Sequence, residues 1–236
     1  MDPRHPSAAA SADAREPGDR GEPLARRLRG LNIYLVGMMG AGKSTVGRPL
    51  AAALGYGFLD ADAALEHVAG QTIPSLFAAA GEEGFRELET AVLGQIASFH
   101  SQVVATGGGV VSRPVNWGHL QQGVVVWLDA PAELLLERLR RDPTPRPLLQ
   151  APDPAARLAE LLAQRQPLYA QADLRIVQEG DSPDLVARQV LAALPTILRD
   201  SQPTEAPAPL HLVDGDGQPV DSLNTVTHAG PLAGQP

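Results

Sequence analysis

The residues best suited to chemistry form a glycine-rich segment, GMMGAGKS, at positions 37–44. The segment fits the phosphate-loop pattern G-x-x-x-x-G-K-[ST] and directly follows an apolar run, as a loop between a strand and a helix should. In such loops backbone N–H groups surround phosphate oxygens, the lysine reaches the outer phosphates and the serine hydroxyl holds Mg²⁺. We therefore predict a purine nucleoside triphosphate site with magnesium; a glycine-rich turn without a nucleotide is the alternative. The predicted nucleotide-binding residues of the loop are Gly40, Ala41, Gly42, Lys43, Ser44 and Thr45.

Lys43 is the only lysine in the chain, which carries 19 basic residues. A compact ammonium group on a flexible stem is hard to replace by a planar guanidinium at a phosphate loop. The absence of lysine everywhere else therefore favours a catalytic role for Lys43. Pro49 lies inside the helix that should follow, where it is expected to kink or loosen the helix.

Two carboxylates end a second apolar run, in the segment FLDAD at residues 58–62. Because Asp60 and Asp62 are two positions apart, both can face one cleft beside the triphosphate. Such a pair divides into one acid for the magnesium shell and one that accepts a hydrogen bond from an attacking hydroxyl group. An ordinary turn in which Asp62 caps the next helix is the alternative.

Three consecutive glycines, residues 107–109, follow a third apolar run. They would let a small ligand lie against bare backbone, although a flexible turn would also explain them. Arg86 lies in a predicted helix three residues before Glu89, so the two side chains can pair. Pairs of this kind usually belong to a solvated helix face.

Two more arginines stand at positions that suit anion binding. Arg146 lies in a proline-rich segment, and such a stiffened segment suggests a lid that brings an arginine onto phosphates. Arg165 lies near the end of a predicted helix, where an ordinary surface arginine is the alternative.

The elements that must position these groups alternate between short apolar runs and helical stretches. The runs lie at 31–36, 56–59, 103–105, 124–128 and 174–177, and helices are predicted at 43–54, 61–69, 73–80, 83–98, 131–141, 153–170 and 182–197. Near-continuous apolar runs are typical of parallel strands buried on both faces. The alternation predicts an α/β three-layer sandwich, whose chemistry lies at the carboxyl ends of the strands.

Composition sets the limits of the predicted domain and of its partners. Residues 1–30 and 200–236 are proline-rich and are predicted to be a disordered arm and a disordered acidic tail around a domain at 31–199. A net charge of −8 argues against binding to nucleic acid or to anionic membranes. Without cysteine there are no disulfides, thiolate zinc sites or cysteine nucleophiles. We expect a cytoplasmic protein; import into an organelle is the alternative, which acidic residues in the arm disfavour.

Taken together, the motifs resemble those of the shikimate kinase family. The matching segments, in family order, are GMMGAGKSTVG at 37–47, FLDAD at 58–62, GEEGFRELE at 81–89, TGGGVV at 106–111, RPLL at 146–149 and RQPLY at 165–169. The resemblance covers about 31–199 and leaves both ends outside. It implies a nucleoside-monophosphate-kinase-like fold with a five-stranded parallel sheet and a lid, in a monomer that binds ATP and shikimate.

The same resemblance implies a reaction: ATP-dependent phosphorylation of the shikimate 3-hydroxyl, giving 3-phosphoshikimate and ADP in aromatic amino acid (chorismate) biosynthesis. It assigns Lys43, Asp62 and Arg146 to catalysis, Arg146 also to the ATP phosphates, and Ser44 and Asp60 to Mg²⁺. It leaves open whether Arg140 or Arg141 contacts adenine. The residues that it assigns to shikimate are Asp62, Arg86, Gly107, Gly108, Gly109 and Arg165.

Two other functions remain as hypotheses at this point. Another small phosphate-loop kinase, acting on gluconate or on a nucleoside monophosphate, would share the phosphate loop and the lid. A non-catalytic ATP-binding regulator would keep the fold but should show substitutions at the chemical positions. The intact set of lysine, aspartate and arginines favours the shikimate reaction over both.

Overall fold

The computed structural model describes residues 23–142, 147–149 and 151–198 of the chain. Its strands are β1 Ile33–Val36, β2 Gly57–Asp60, β3 Gln102–Ala105, β4 Val124–Asp129 and β5 Leu174–Val177. All four strand pairings are parallel, and the strands lie side by side in the order β2-β3-β1-β4-β5. Every strand therefore ends at the same edge of the sheet, which gathers the predicted chemical groups there.

Helices cover both faces of this sheet. They are α1 Leu24–Arg27, α2 Lys43–Leu54, α3 Ala61–Ala69, α4 Ile73–Ala97, α5 Pro114–Leu120, α6 Ala132–Arg141, α7 Pro154–Tyr169 and α8 Pro183–Ala193. Short 3₁₀ turns add Val110–Ser112, Pro147–Leu149 and Leu194–Thr196. The predicted three-layer α/β sandwich with a five-stranded parallel sheet is confirmed. Among the described residues, no helix combines the length and apolar character needed to cross a membrane.

Alternate residues of the central strands divide between two cores. In β1, Ile33 and Leu35 face the core that contains α2 and α8, whereas Tyr34 and Val36 face the core that contains α3, α4 and α5. Successive side chains of a strand point to opposite faces, so a strand in the middle layer must be apolar throughout. The edge strands differ: β2 and β5 are only partly buried, because each has a neighbour on one side alone.

The predicted boundary between the N-terminal arm and the domain differs from the structure. Residues 23–30 were expected in the arm, but Leu24 packs on the core and Leu28 is fully buried in it. These leucines are one helical turn apart, so the short α1 carries an apolar face onto the domain. That part of the arm prediction is wrong, while residues 1–22 and 199–236 lie outside the described residues. The 31–199 limits otherwise stay predictions.

Three helices, α4, α5 and α2, differ from the predicted elements. The helices expected at 73–80 and 83–98 meet at a kink in α4, where Gly81 has φ +67°. Helix α5 was not predicted, because its seven residues are too few to show a clear apolar period. Helix α2 runs unbroken past Pro49, with Val46 and Leu50 buried on either side, so tertiary packing outweighs the missing backbone donor.

Candidate active site

A cavity of about 720 Å³ lies at the carboxyl ends of the strands. Its lining includes most of the predicted site residues: Gly40, Gly42, Lys43, Ser44, Thr45, Asp60, Asp62, Arg86, Gly107, Gly108, Gly109 and Arg165. Ala41, which is fully buried, is not part of this lining. Arg146 lies outside the described residues. The fold thus brings the nucleotide-binding and acceptor-binding candidates together in one space.

The phosphate loop joins β1 to the start of α2. Gly42 has φ +83°, a left-handed conformation that glycine adopts without strain, and Lys43 begins the helix directly after it. The Lys43 ammonium group donates hydrogen bonds to the carbonyl oxygens of Gly37 at 2.9 Å and Met38 at 3.1 Å. The positive charge is therefore held over the same loop whose N–H groups and helix N-terminus attract phosphate.

Ser44 and Asp60 connect the loop to the end of β2. The Ser44 hydroxyl donates to Asp60 Oδ2 at 2.5 Å, while Asp60 Oδ1 accepts from the backbone N–H groups of Asp62 and Ala63. Asp60, not Asp62, is therefore the cap of α3, and the alternative role considered for Asp62 is wrong. Asp62 occupies the first turn of that helix and lines the cavity.

Arg86 and Glu89 form a buried ion pair on α4. Each residue is only 6% exposed, and Arg86 Nη1 lies 2.8 Å from Glu89 Oε2, so the pair is not part of a solvated helix face. Glu82 adds a second contact to the guanidinium at 3.3 Å. The Arg86 fork lies so close to Gly109 that a Cβ there would collide with both of its terminal nitrogens.

Glu89 is under opposing electrostatic influences. Burial raises the pKa of Glu89 and is the largest cause; the charges of Arg86 and Arg165 lower it, and that of Asp62 raises it. Its second oxygen, Oε1, is buried and has no hydrogen-bond partner within the described part of the chain. That oxygen lies beside Gly107, whose missing side chain leaves room for it and for Asp62 Oδ1. A polar ligand that reached this corner would find an unused acceptor.

Arg165 reaches the triple-glycine segment from α7. It is 5% exposed, so it is not a surface arginine, and its Nη1 donates to the Gly108 carbonyl oxygen at 3.3 Å. The Tyr169 hydroxyl donates to the same carbonyl oxygen, and its ring stacks on Trp127 with a centroid separation of 5.9 Å. Burial raises the pKa of Tyr169 to about 12, so the phenol stays protonated and keeps donating.

Comparison with known proteins agrees with this geometry. A family model described as shikimate kinase matches residues 39–195. A shikimate kinase from Synechococcus sp. (strain RCC307) is 54% identical over 193 residues, which is 82% of this chain and 99% of the relative. The shikimate kinase of Synechococcus sp. (strain CC9902) is 58% identical over 182 residues, or 77% and 94% of the two chains. This chain belongs to the shikimate kinase family.

A solved shikimate kinase structure gives the same result. The enzyme from Acinetobacter baumannii, determined in complex with shikimate, is 44% identical and superposes with a TM-score of 0.70. The match covers 74% of this chain and 98% of that one. The predicted family and nucleoside-monophosphate-kinase-like fold are confirmed, and membership of the shikimate kinase family decides against the gluconate, nucleoside monophosphate and regulator hypotheses.

Two residues of this shikimate kinase site were missed by sequence reasoning. Neither Arg140 nor Arg141 hydrogen-bonds the phosphate loop: Arg140 is exposed, and Arg141 pairs with Glu137 at 2.6 Å. Arg138 does so instead, donating to the Gly40 carbonyl oxygen at 3.2 Å, and an adenine contact by Arg140 or Arg141 stays a prediction. Gln178, just after β5, contacts both Arg138 and the loop. A helical period could have shown that Arg138 and Arg141 share a face, but no local signal marked Gln178.

Replacement of Gly107 by alanine is expected to weaken shikimate binding at least about tenfold, a change of roughly 1.4 kcal/mol. An added Cβ would lie 3.0 Å from Asp62 Oδ1 and closer still to Glu89 Oε1, so both carboxylates must move. Gly118→Ala is the matched control, because a Cβ at that position on α5 has no described atom within 4 Å. Titration calorimetry with shikimate should separate the two variants; equal affinities would contradict this packing argument.

Proposed function

We propose that this chain phosphorylates the 3-hydroxyl group of shikimate with ATP, releasing 3-phosphoshikimate and ADP, as a step in aromatic amino acid biosynthesis. The observation that carries the proposal is the single cavity that joins a phosphate loop to two buried arginines. A phosphoryl transfer needs its donor and its acceptor in line within one enclosed space. Shikimate supplies an anionic carboxylate for the arginine end and a hydroxyl group for the phosphate end.

At the nucleotide end, Lys43 holds the outer phosphates and offsets charge that spreads over the transferred group. Its ammonium group donates to the carbonyl oxygens of Gly37 and Met38, and rotation of the side chain would bring it to the phosphates. The other predicted loop residues, Gly40, Ala41, Gly42, Ser44 and Thr45, contribute backbone and hydroxyl groups around the phosphates. This arrangement supports ATP as the co-substrate.

Ser44 and Asp60 suit magnesium. They offer one hydroxyl and one carboxylate oxygen 2.5 Å apart, which are the hard oxygen ligands that Mg²⁺ takes. The described residues contain no cluster of three or more acidic, histidine or cysteine side chains placed for a metal ion. A site of two protein oxygens is what Mg²⁺ uses when phosphates and water complete its shell. When bound, the ion would neutralise phosphate charge beside Lys43.

At the acceptor end, Arg86 and Arg165 bind the shikimate carboxylate. Two guanidinium forks from different helices can each donate paired hydrogen bonds to a carboxylate, which fixes the orientation of the ring. Residues 107–109 supply bare backbone against which the ring lies. Arg86 is already held by Glu89 at Nη1 and by Glu82 at Nη2, so it meets the substrate in a fixed position.

Asp62 accepts the hydrogen bond of the attacking hydroxyl group. Its Oδ1 lies beside Gly107 and its residue lines the cavity between the phosphate loop and Arg86. A carboxylate there orients the hydroxyl group toward the γ-phosphate and receives its proton. Arg146, on the predicted lid, adds positive charge beside the transferred phosphoryl group and helps to exclude water.

The wider setting is part of the same proposal. We infer a cytoplasmic protein with no nucleic-acid or membrane partner, because the chain is acidic and lacks cysteine. The family resemblance adds the expectation of a monomer. We infer that the catalytic domain occupies about residues 23–199, because α1 packs on its core, and that the two ends lie outside the catalytic unit.

The experiment is a coupled ADP-release assay on the full chain with shikimate, gluconate and nucleoside monophosphates as parallel acceptors. We expect magnesium-dependent ADP release with shikimate at a kcat/KM at least about a hundredfold above the others, since the arginine pair rejects acceptors that lack a carboxylate in that position. Gluconate also carries a carboxylate, so it is the most demanding comparison. Equal rates with gluconate would overturn the assignment of the acceptor.

The carboxylate assignment predicts that Arg165→Met weakens shikimate binding by about ten- to a hundredfold, as a charge-assisted hydrogen bond of roughly 1.5–3 kcal/mol is lost. The ADP affinity should change less than about twofold. Arg157→Met is the control, because Arg157 lies on the same helix and pairs with Glu160 near the surface. Calorimetric titrations with each ligand provide the measurement, and an unchanged shikimate affinity in Arg165→Met would refute its role.

Arg86 needs a paired substitution. Its removal alone leaves the buried Glu89 carboxylate without its partner, a change that typically costs about 3–5 kcal/mol of stability. Arg86→Met combined with Glu89→Gln removes both charges and keeps the side-chain volumes. We expect this double variant to fold and to show a loss of shikimate affinity similar to that of Arg165→Met.

A further inference from the structure

Gln178 is a buried carboxamide that lies directly after β5, on the opposite side of β1 from the acceptor residues. It is 1% exposed, and its backbone N–H donates to the Asp129 carbonyl oxygen at the end of β4. Its place is therefore fixed by the sheet and not by a mobile loop. Neither the motifs nor the proposed reaction uses this residue.

Both ends of the Gln178 side chain are engaged. Nε2 donates to the Ala41 carbonyl oxygen of the phosphate loop at 2.9 Å, and Oε1 accepts from Arg138 Nη1 at 3.1 Å. The same Arg138 nitrogen donates to the Gly40 carbonyl oxygen at 3.2 Å. Two successive carbonyl groups of the loop are thus fixed by one bridge.

This bridge fixes the orientation of the loop. A peptide unit whose carbonyl group is hydrogen-bonded on one side presents the N–H group of the following residue in a fixed direction. The units bonded by Arg138 and Gln178 carry the N–H groups of Ala41 and Gly42, at the centre of the phosphate loop. The Ala41 N–H also donates to the Met38 carbonyl oxygen at 3.1 Å, so it is the Ala41–Gly42 unit that depends on Gln178. Loss of the bridge would free the rotation of that unit and cost phosphate affinity.

The bridge also orients a positive charge. Arg138 and Gln178 both line the cavity, and the hydrogen-bond partners of Arg138 in the described part of the chain are neutral oxygens. Burial lowers the pKa of Arg138, which is the expected response of a cation held in a partly dry site. Its guanidinium is thereby aimed at the nucleotide end of the cavity, about where α6 leads into the predicted lid.

We propose that Gln178 is a positioning residue for the nucleotide, which acts through Arg138 and the Ala41 carbonyl group and has no part in binding the acceptor. The inference rests on the proposed function, since it requires that the loop binds ATP. We therefore expect the affinity for the nucleotide to depend on Gln178 and the affinity for shikimate to be independent of it.

The test compares Gln178→Met with Asn32→Leu. Asn32 is also a buried carboxamide, 5% exposed, that donates to the Phe99 carbonyl oxygen at 2.7 Å and accepts from the Gln102 N–H at 3.0 Å. It lies just before β1, at the edge of the sheet away from the cavity. Both changes remove one carboxamide bridge, so they should lower the melting temperature similarly.

Magnesium-ADP is titrated into the full-length proteins by calorimetry without shikimate, and KM values are then measured for both substrates. We expect Gln178→Met to weaken ADP binding and raise the KM for ATP about tenfold, with the KM for shikimate within about twofold of wild type. Asn32→Leu should keep both KM values. Equal behaviour of the two variants, or a matching rise in both KM values for Gln178→Met, would overturn the proposal.

Three further variants extend the test, and Gln178→Glu replaces Gln178→Met if that variant folds poorly. Gln178→Glu keeps the acceptor for Arg138 but loses the donor to Ala41, so it should also weaken ADP binding. Arg138→Met and the Gln178→Met/Arg138→Met double variant complete a cycle, in which the joint loss should be smaller than the product of the single losses. Independent effects would overturn the role of Arg138. A wild-type protein that neither binds ADP nor phosphorylates shikimate would instead refute the proposed function.

Discussion

Lys43→Ala is expected to fold normally and to lose at least about 10²–10³-fold in kcat, the usual cost of removing one preorganised donor from a developing negative charge. The side chain contributes to the phosphate loop and not to either apolar core. No other lysine exists in the chain to take its place. Steady-state kinetics in the coupled assay, with a thermal unfolding scan for integrity, provides the measurement.

Lys43→Arg is the informative companion variant. It keeps the positive charge but replaces the compact ammonium group by a planar fork, so it should recover only part of the lost activity. An amine-reactive ATP analogue offers a direct check, because peptide mapping should find label only on Lys43 or the N-terminal amine. Turnover of folded Lys43→Ala within about tenfold of wild type would contradict the nucleotide assignment.

Asp62→Asn should lower kcat by about 10²-fold or more, within the range typical of a general base, while the KM for shikimate changes by less than about fivefold. Asparagine keeps the size and the hydrogen-bonding reach of the side chain but cannot receive the hydroxyl proton. The kinetic constants for both substrates, with ATP saturating, separate this effect from a loss of binding.

Glu66→Gln is the control for Asp62. Glu66 also lines the cavity, but its Oε1 accepts from the Ile73 N–H at 2.8 Å, and glutamine preserves that acceptor. Its kcat should stay within about threefold of wild type, because only an unused charge is removed. If Asp62→Asn raised the KM for shikimate and left kcat unchanged, Asp62 would be a binding residue and not the base.

The central strands and the longer helices could be predicted because their sequences leave few alternatives. β1, β3 and β4 lie in the middle of the sheet, so burial on both faces requires continuous apolar runs that are visible in the sequence. The phosphate loop could be predicted because phosphate binding fixes the spacing of its glycines, lysine and serine. Helix α1 was missed because its apolar face consists of two leucines, Leu24 and Leu28, next to a proline-rich segment.

In the candidate site, too, some residues could be predicted from the sequence and others could not. Residues within motifs, such as Arg86 and Gly109, were found because their partners are close in sequence or belong to a recognisable segment. The burial of the Arg86 and Glu89 pair could not be predicted, since the same spacing occurs on solvated helices. Gln178 is 137 residues from the carbonyl group that it contacts, so only the assembled sheet reveals its place.

The measurement that tests the central claim most directly is phosphorus–proton correlation NMR of the product made by the full-length protein from ATP, Mg²⁺ and shikimate. One cavity in which the arginines hold the carboxylate, while Asp62 and Lys43 face the transferred phosphate, predicts a single new phosphate ester coupled to the proton on carbon 3. Its amount should equal the ADP released. Phosphate on another hydroxyl group, or ADP release without a shikimate ester, would contradict the account.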